Sequence, residues 1–515
     1  MDLTVGDIMG EYGKVVLVGA GPGDVGLMTV RGLEYLKRAD CIIYDRLLNQ
    51  KLLEIAPADC EKKFVGKANH HHTVPQDKIN ELLLEMAAKH KLVIRLKGGD
   101  PYVFGRGGEE ALYLIERNVD VEVVPGISSS IAALSAAGIP ITHRGLSKGF
   151  QVITAHSKKD ALADIDYSQL TDDTVTYVFL MGLAHVGEIA DGLIAAGRSP
   201  ETKAAVISSG TTNRQKKVCG TLEDIEEKVT KAKLESPAVI VVGDVVGLGN
   251  KLNFFEQRPL FGRKIFLPVI KGFEYSLGGR NEITCENELE KKLTEAGADV
   301  VTVCSGAIRP VKFEFDFLSE TDENSIFVFT SANSVKAFFW NFFEVNNYDL
   351  RKLTKIKFAT VGKTTADALK SFGFNADFIS EKQTGKDLAD FLNEEVISKS
   401  EVYWFCQNNS SVDFEEALDG SFLLKKVICY ENVSLDKTID SQLIENVSNC
   451  EFAVFTSGSS AEFAITNIGD AVPSKIISIG PACSRKIRQL GRNVYREASV
   501  SSYDGIMELM SEFRS

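Results

Sequence analysis

Residues 93–110 read Val93-Ile94-Arg95-Leu96-Lys97-Gly98-Gly99-Asp100-Pro101-Tyr102-Val103-Phe104-Gly105-Arg106-Gly107-Gly108-Glu109-Glu110. An apolar run ends in a Gly-Gly-Asp-Pro turn, a second glycine-rich turn follows, and a helix opens on two glutamates. Paired glycines let main chain approach a ligand where any Cβ would clash. Asp100 supplies a fixed acceptor and Pro101 stops the strand. Such a loop after a strand is a ligand-binding position in α/β folds. One glycine turn reads equally well as an ordinary strand-to-helix connection; the whole segment does not.

The pattern continues outward. Strand-like runs at Val15–Val18, Cys41–Tyr44, Leu92–Leu96 and Val121–Val124 alternate with helical ones. Between Asp77 and His90, residues Ile79, Leu82, Leu83 and Met86 fall on one helical face. This is α/β patterning. Gly19-Ala20-Gly21 invites a dinucleotide-binding reading, but the third glycine of that fingerprint is replaced by Asp24 and Pro22 sits where the turn should enter its helix.

At 515 residues the chain has room for several cores, and 44% hydrophobic with 25% charged residues is the composition of a globular protein. No apolar stretch reaches the roughly 18 residues needed to span a bilayer, and the first thirteen residues lack the basic, apolar and cleavage regions of a signal peptide. Nine scattered cysteines without a Cys-x-x-Cys pair read as reduced thiols in a cytoplasmic protein, with neither a disulfide frame nor a zinc site. His70-His71-His72 has the composition of a metal tract, but three adjacent residues cannot all face one ion, and a solvated loop is the preferred reading. A net charge of −13 argues against nucleic-acid binding.

Composition changes near residue 255. All seven histidines lie before residue 186, and phenylalanine becomes dense afterwards. The second half contains an echo. Phe327-Val328-Phe329-Thr330-Ser331-Ala332-Asn333-Ser334-Val335 is matched by Phe452-Ala453-Val454-Phe455-Thr456-Ser457-Gly458-Ser459-Ser460, and Thr360-Val361-Gly362-Lys363-Thr364-Thr365-Ala366 by Ser478-Ile479-Gly480-Pro481-Ala482-Cys483-Ser484. Each copy is an apolar strand, a hydroxyl-rich turn and a helix, which suggests two similar α/β subdomains facing each other. Singly such turns are helix caps; together they suggest an anion-lined cleft.

The first half resembles uroporphyrinogen-III C-methyltransferase, of the S-adenosylmethionine-dependent tetrapyrrole methylases, over roughly residues 13–250. The resemblance rests on Leu17 through Asp24, Tyr44-Asp45-Arg46-Leu47, Val65-Gly66-Lys67, the 93–110 segment, Val124 through Ser129, Gly138 through Arg144, and the Met181-Gly182 pair. The second half resembles uroporphyrinogen-III synthase over roughly residues 260–515, through Pro259 through Ile265, the Thr330-Ser331 turn, Val427 through Glu431 and Ser478 through Pro481. The implied organisation is a two-lobed methylase fold in 1–255 (lobes about 13–124 and 125–250), then a two-lobed synthase fold in 256–515 (lobes about 261–300 plus 431–515, and 302–428). The synthase product in that family is the methyltransferase substrate, so the two resemblances support each other. A second half that only binds tetrapyrrole is the alternative.

By resemblance, Pro22, Gly98, Gly99, Asp100, Val103, Ser128, Ser129, Met181 and Gly210 line the site for S-adenosylmethionine, and no metal is implied. Asp45 is the implied proton acceptor and Lys67 the donor, although Lys67 equally suits a grip on a substrate carboxylate. Arg46, Arg106 and Arg144 are candidates for substrate carboxylates, since guanidinium pairs them bidentately. In the second half the implied substrate is hydroxymethylbilane, with Tyr430 in the family's tyrosine position and Thr330, Ser331, Thr365 and Ser457 toward its carboxylates; a half-buried aromatic at a strand end accounts for Tyr430 equally well. The expected product is precorrin-2, on the way to siroheme, cobalamin or another modified tetrapyrrole, and a homodimer through the first half is implied. Ala68, Ala155, Cys483 and the Leu267-Pro268-Val269 stretch depart from the family patterns.

Overall fold

The structure, a computed structural model, describes residues 12–46, 48–57, 59–66, 75–155, 162–277, 287–380, 384–396, 400–408, 410, 412–435 and 441–513. Contacts divide the chain into two compact units, Met1–Gly262 and Arg263–Ser515.

The first unit holds two five-stranded sheets. In one, β1 (Lys14–Gly19), β2 (Cys41–Tyr44), β3 (Glu61–Phe64), β4 (Leu92–Lys97) and β5 (Val121–Val124) run parallel in the order β3-β2-β4-β1-β5. Near-continuous apolar runs such as Val15–Val18 suit a sheet covered on both faces. Val15, Leu17, Ile43 and Val93 pack one way, with Ile79, Leu83 and Met86 of the helix Gln76–Lys89. Val16, Val18, Ile42, Ile94 and Leu96 pack the other way. From β1 the chain crosses to one side and from β4 to the other, so the crevice of this sheet opens at the carboxyl ends of β4, β1 and β5.

The other sheet comprises β6 (Gly149–Thr154), β7 (Val175–Leu180), β8 (Lys203–Ser208), β9 (Lys216–Thr221) and β10 (Ala238–Val242), ordered β6-β7-β10-β8-β9. It is mixed: β6 and β7 are parallel, while β10 is antiparallel to β7 and β8, and β8 to β9.

The second unit is built on one ten-stranded sheet. Its strands are β11 (Lys264–Lys271), β12 (Asp299–Pro310), β13 (Ile326–Phe329), β14 (Lys357–Val361), β15 (Phe378–Ser380), β16 (Glu401–Gln407), β17 (Leu423–Ser434), β18 (Phe452–Phe455), β19 (Lys475–Ser478) and β20 (Val494–Glu497). The order is β15-β14-β13-β16-β17-β12-β11-β18-β19-β20, and every pair is parallel except β12 with β17. The two similar subdomains of the sequence echo therefore appear as two halves of one sheet, joined through β12 and β17. The physical reason is strand length. β12 and β17 have 12 residues each. Each pairs first within its own half and then with the other, from Gly306 opposite Ser434 to Pro310 opposite Tyr430. Each changes partner at a bulge, which leaves Ser305 extra on β12 and Cys429 extra on β17.

The phenylalanine-rich composition has its explanation here. Phe315, Phe327, Phe329, Phe338, Phe339, Phe342, Phe358, Phe372 and Phe405 form one buried cluster with Tyr403. Phe338 sits edge-on to Phe315, Phe327 and Phe405 at centroid distances of 5.2, 5.7 and 4.8 Å, a favoured aromatic geometry. No described helix is long and apolar enough to cross a membrane.

Candidate active sites

The loops after β1, β4 and β5 meet main chain to main chain. Gly21 and Gly99 exchange amide hydrogen bonds of 3.2 and 2.7 Å, and Ala20 N donates to the Lys97 carbonyl at 2.7 Å. A Cβ on Gly126 would lie 2.1 Å from the Gly99 carbonyl oxygen and 2.7 Å from Gly19 Cα; one on Gly19 would lie 2.4 Å from Gly126 N. Only hydrogen fits at either position. Asp100 ties the same loops together: Oδ2 accepts from Gly126 N at 3.0 Å and Oδ1 from Tyr102 N at 2.8 Å. Its carboxylate thus braces the rim, a role that the reading of Asp100 as a ligand acceptor had missed.

Ser128 caps the helix Ser129–Ala136 beside Gly99, which sits at φ +67°. The turn after β8 closes on the loop after β1. Asp24 N donates to Thr211 Oγ1 at 3.3 Å, and the Cβ direction of Gly23 points at Thr212, Thr211 and the Gly210 carbonyl. Gly210 itself packs on Ala133 of the Ser129–Ala136 helix. The structure therefore gathers Pro22, Gly98, Gly99, Asp100, Ser128, Ser129 and Gly210 on adjoining loops. Val103 and Met181 are exposed, at 38% and 51%. Phe104, Arg106, Met181, Ser209 and Thr211 all hold φ between +50° and +67°. Left-handed non-glycine residues are costly, and they concentrate where function over-determines the backbone.

Of the implied acid–base and carboxylate groups, Asp45 is half-buried at the end of β2, with Oδ2 3.7 Å from Arg95 Nη2. Arg46 and Arg144 are exposed. Arg106 is also exposed, and its fork is closed on Glu109 of its own helix, Nε to Oε1 at 2.9 Å and Nη2 to Oε2 at 2.7 Å. Lys67 and His70-His71-His72 lie outside the described residues. One mixed group of metal-ligand type occurs among the described residues, Cys41 with Glu61 and His90. Its carboxylate is already engaged by His90 at 2.7 Å and Lys63 at 2.6 Å.

In the second unit, Ser331 caps the helix Ala332–Trp340 and Ser457 caps the helix Gly458–Ile468 in a reciprocal capping box. Thr330 Oγ1 accepts from the Trp404 indole at 3.3 Å. The helices Gly362–Lys370 and Pro481–Gln489 carry no side-chain cap. Thr365 is buried, 4% exposed, within the Gly362–Lys370 helix. Tyr430 is 7% exposed, and its hydroxyl lies 3.1 Å from Ser331 Oγ. Burial pushes its phenol up to about 12, the Ser331 bond working the other way. Two residues on, Asn432 Nδ2 donates to Gln407 Oε1 at 3.1 Å and to Ser459 Oγ at 3.2 Å. The bulge at Cys429 thus brings Tyr430 and Asn432 to both serine turns at the junction.

The two ends of that junction are not alike. Counted from the central pair Ile308–Asn432, Gly306 holds in β12 the place that Tyr430 holds in β17. A Cβ on Gly306 would strike Phe463 at 2.5 Å.

The family model for tetrapyrrole (corrin/porphyrin) methylases matches residues 14–226, and that for uroporphyrinogen-III synthase HemD matches 287–508. The porphyrin biosynthesis protein HemD of Ruminiclostridium josui is 39% identical over 395 residues, covering 76% of each chain. The chain belongs to these two families, joined in that order. A uroporphyrinogen-III C-methyltransferase of Bacillus subtilis is 40% identical over 365 residues, covering 71% of this chain and 72% of that one. A solved uroporphyrin-III C-methyltransferase of Thermus thermophilus, complexed with S-adenosyl homocysteine, is 39% identical, with a TM-score of 0.40, and spans 45% of this chain and 93% of its own.

Three charged residues of the methylase half are buried where the sequence pattern alone places charge at the surface. Arg95, Lys97 and Glu110 are 3%, 5% and 0% exposed. Burial lowers the Lys97 ammonium, as does neighbouring Arg95, while Glu110 opposes both. The signal was available. Two cations at alternate positions of an otherwise apolar strand share a face, and a glutamate follows in the first turn of the next helix.

Proposed function

We propose that the synthase half closes hydroxymethylbilane to uroporphyrinogen III with inversion of the last ring, and that the methylase half then methylates that product twice, at C2 and C7, to precorrin-2. Bound S-adenosylmethionine would supply an electrophilic methyl group on its sulfonium. The observation that carries the methylase reading is the glycine-lined rim at the carboxyl ends of β4, β1 and β5, where three loops offer main chain and no Cβ. Such a rim suits a ligand recognised through amides and carbonyls, with Pro22, Gly98, Gly99, Ser128, Ser129 and Gly210 holding the donor and Val103 and Met181 flanking it. Transfer to a ring carbon is chiefly a matter of alignment. The methylated ring system is left cationic, and Asp45 restores neutrality by taking one proton from it. Lys67 is the proposed partner in that exchange, and Arg46 and Arg144 hold substrate carboxylates.

In the synthase half the supporting observation is the Tyr430–Ser331 contact, which sets a phenol beside a capped helix start. Tyr430 donates a proton to the departing hydroxyl, while Ser331 and Ser457 mark the turns that hold carboxylates. The working form is a cytoplasmic two-fold dimer through the methylase half. Incubation with hydroxymethylbilane, with and without S-adenosylmethionine, tests both halves by absorbance and mass. Isomer III is expected without the donor and its dimethylated product with it. Isomer I alone would leave the second half a binding module. Failure to methylate supplied uroporphyrinogen III would reject the first reading, and a monomer in light scattering would reject the dimer.

A further inference from the structure

Beneath the methylase rim lies a group of charges that the scheme above does not use. Glu110 Oε1 accepts from Lys97 Nζ at 2.9 Å, Arg95 Nε at 3.3 Å and Gln76 Nε2 at 3.2 Å. Glu110 Oε2 is buried and makes no hydrogen bond. Gln76, from the helix Gln76–Lys89, also donates to Asn80 Oδ1 at 3.1 Å. Arg95 is held on a third side, since Nη1 donates to the carbonyls of Leu96 at 3.2 Å and Ile43 at 3.4 Å. Its guanidinium cannot swing without losing several bonds at once.

The charge count is informative. Two buried cations face one buried anion. An uncompensated charge in such a place is strongly disfavoured, and apolar side chains of the same volume would be at least as stable. The balancing anion is Asp45, 3.7 Å from Arg95 Nη2. Among the described residues, Asp77 on the Gln76–Lys89 helix and Arg106 with Glu109 at the start of the Gly107–Ile115 helix also carry charge near Glu110. All three are exposed, so solvent and salt screen them.

We propose that Glu110 is a positioning residue for proton removal in the methylase half: it clamps Arg95, and Arg95 in turn holds the Asp45 carboxylate in place. This rests on the methyl-transfer reading, with Asp45 as the acceptor. Lys97, on the same face of β4, completes the clamp by sharing Glu110.

The test uses the full chain and follows kcat and KM for methylation of uroporphyrinogen III by S-adenosylmethionine. Arg95→Gln removes the group that holds Asp45, and kcat is expected to fall about tenfold or more at unchanged KM for S-adenosylmethionine, because the proton acceptor loses its alignment. The paired change Glu110→Gln with Lys97→Met removes one charge of each sign, so no buried charge is newly orphaned. Its kcat is expected to fall about tenfold or more at unchanged KM for S-adenosylmethionine, because Arg95 loses its anchor. Should Arg95→Gln fail to fold, Glu110→Asp draws the anchor back by one methylene and is expected to show the same loss of kcat at constant KM. Wild-type kcat in Arg95→Gln or in the anchor variants overturns the proposal. A wild-type protein that transfers no methyl at all would instead reject the reading on which it rests.

Discussion

Gly126→Ala is the sharpest test of the glycine-lined rim. The new Cβ would stand 2.1 Å from the Gly99 carbonyl oxygen and 2.7 Å from Gly19 Cα. Both obstacles are main chain, so no side chain can rotate away. Relief to ordinary contact separates the loops after β5, β4 and β1 by about 1 Å, an overpacking strain of roughly 1–3 kcal/mol. That separation pulls on the Gly126–Asp100 bond of 3.0 Å and on the Gly21–Gly99 bridge behind it. A displacement of that size in an alignment site costs about a hundredfold in rate. Three outcomes are expected. Melting of the methylase unit falls by roughly 2–12 °C, at about 2–4 °C per kcal/mol for a unit of this size. Calorimetric affinity for S-adenosylhomocysteine drops at least tenfold. Methyl transfer falls further than binding. Gly108→Ala is the control, since nothing lies within 4 Å of its Cβ; alanine in a helix should leave binding alone and add roughly 0.5–1 kcal/mol. A Gly126→Ala protein that binds S-adenosylhomocysteine like wild type and melts with it would refute the account of the rim.

Asp100→Asn places an NH2 against one of two backbone N–H groups, Gly126 or Tyr102, so it should cost about 1–3 kcal/mol of stability as well as donor affinity; wild-type stability in denaturant would show that the brace is dispensable. Tyr430→Phe should slow formation of isomer III by roughly one to three decades, the scale of a positioned acid, and isomer III at full rate would remove the phenol from the chemistry. Burial raises the thiols of Cys41 and Cys450 to about 12, so the unfolded chain releases these protons first as pH rises. Their contribution is complete below the ordinary thiol range near pH 9 and is lost on the way to about 12. Urea melts at rising pH should show falling stability on that side, less steeply in Cys450→Ala, and an unchanged slope would deny the shift.

What could be read in advance depended on how local its cause was. The strands Val15–Val18 and Val121–Val124 and the helix carrying Ile79, Leu83 and Met86 follow from short-range periodicity, and the structure places them close to where the pattern put them. The Ser331 and Ser457 turns were equally legible, because a cap is a bond between near neighbours. The single ten-stranded sheet was not. It depends on β12 and β17 pairing across more than a hundred residues, and no local pattern encodes that choice of partner. Asp100 was read as a group for a ligand because its amide partner Gly126 is 26 residues away. Arg95, Lys97 and Glu110 were passed over for a different reason. Charges are read as surface, and only the fold reveals that they neutralise one another inside.

The unequal junction of the synthase half bears on direction. The substrate proposed for this half, a linear four-ring chain, has a head and a tail, and a site with identical ends would accept it either way round at equal free energy. The repeated halves come close to such a site, with a capped serine turn on each side. The tie is broken by where one aromatic ring is mounted. In one half it belongs to the strand, as Tyr430, and ends in a hydroxyl; in the other the strand has Gly306 and the helix fills the gap with Phe463, which has no proton to give. Polarity in this duplicated frame is therefore a matter of one ring changing sides, and a Gly306 variant able to carry a phenol, with Phe463 cut back to make room, would restore the ambiguity.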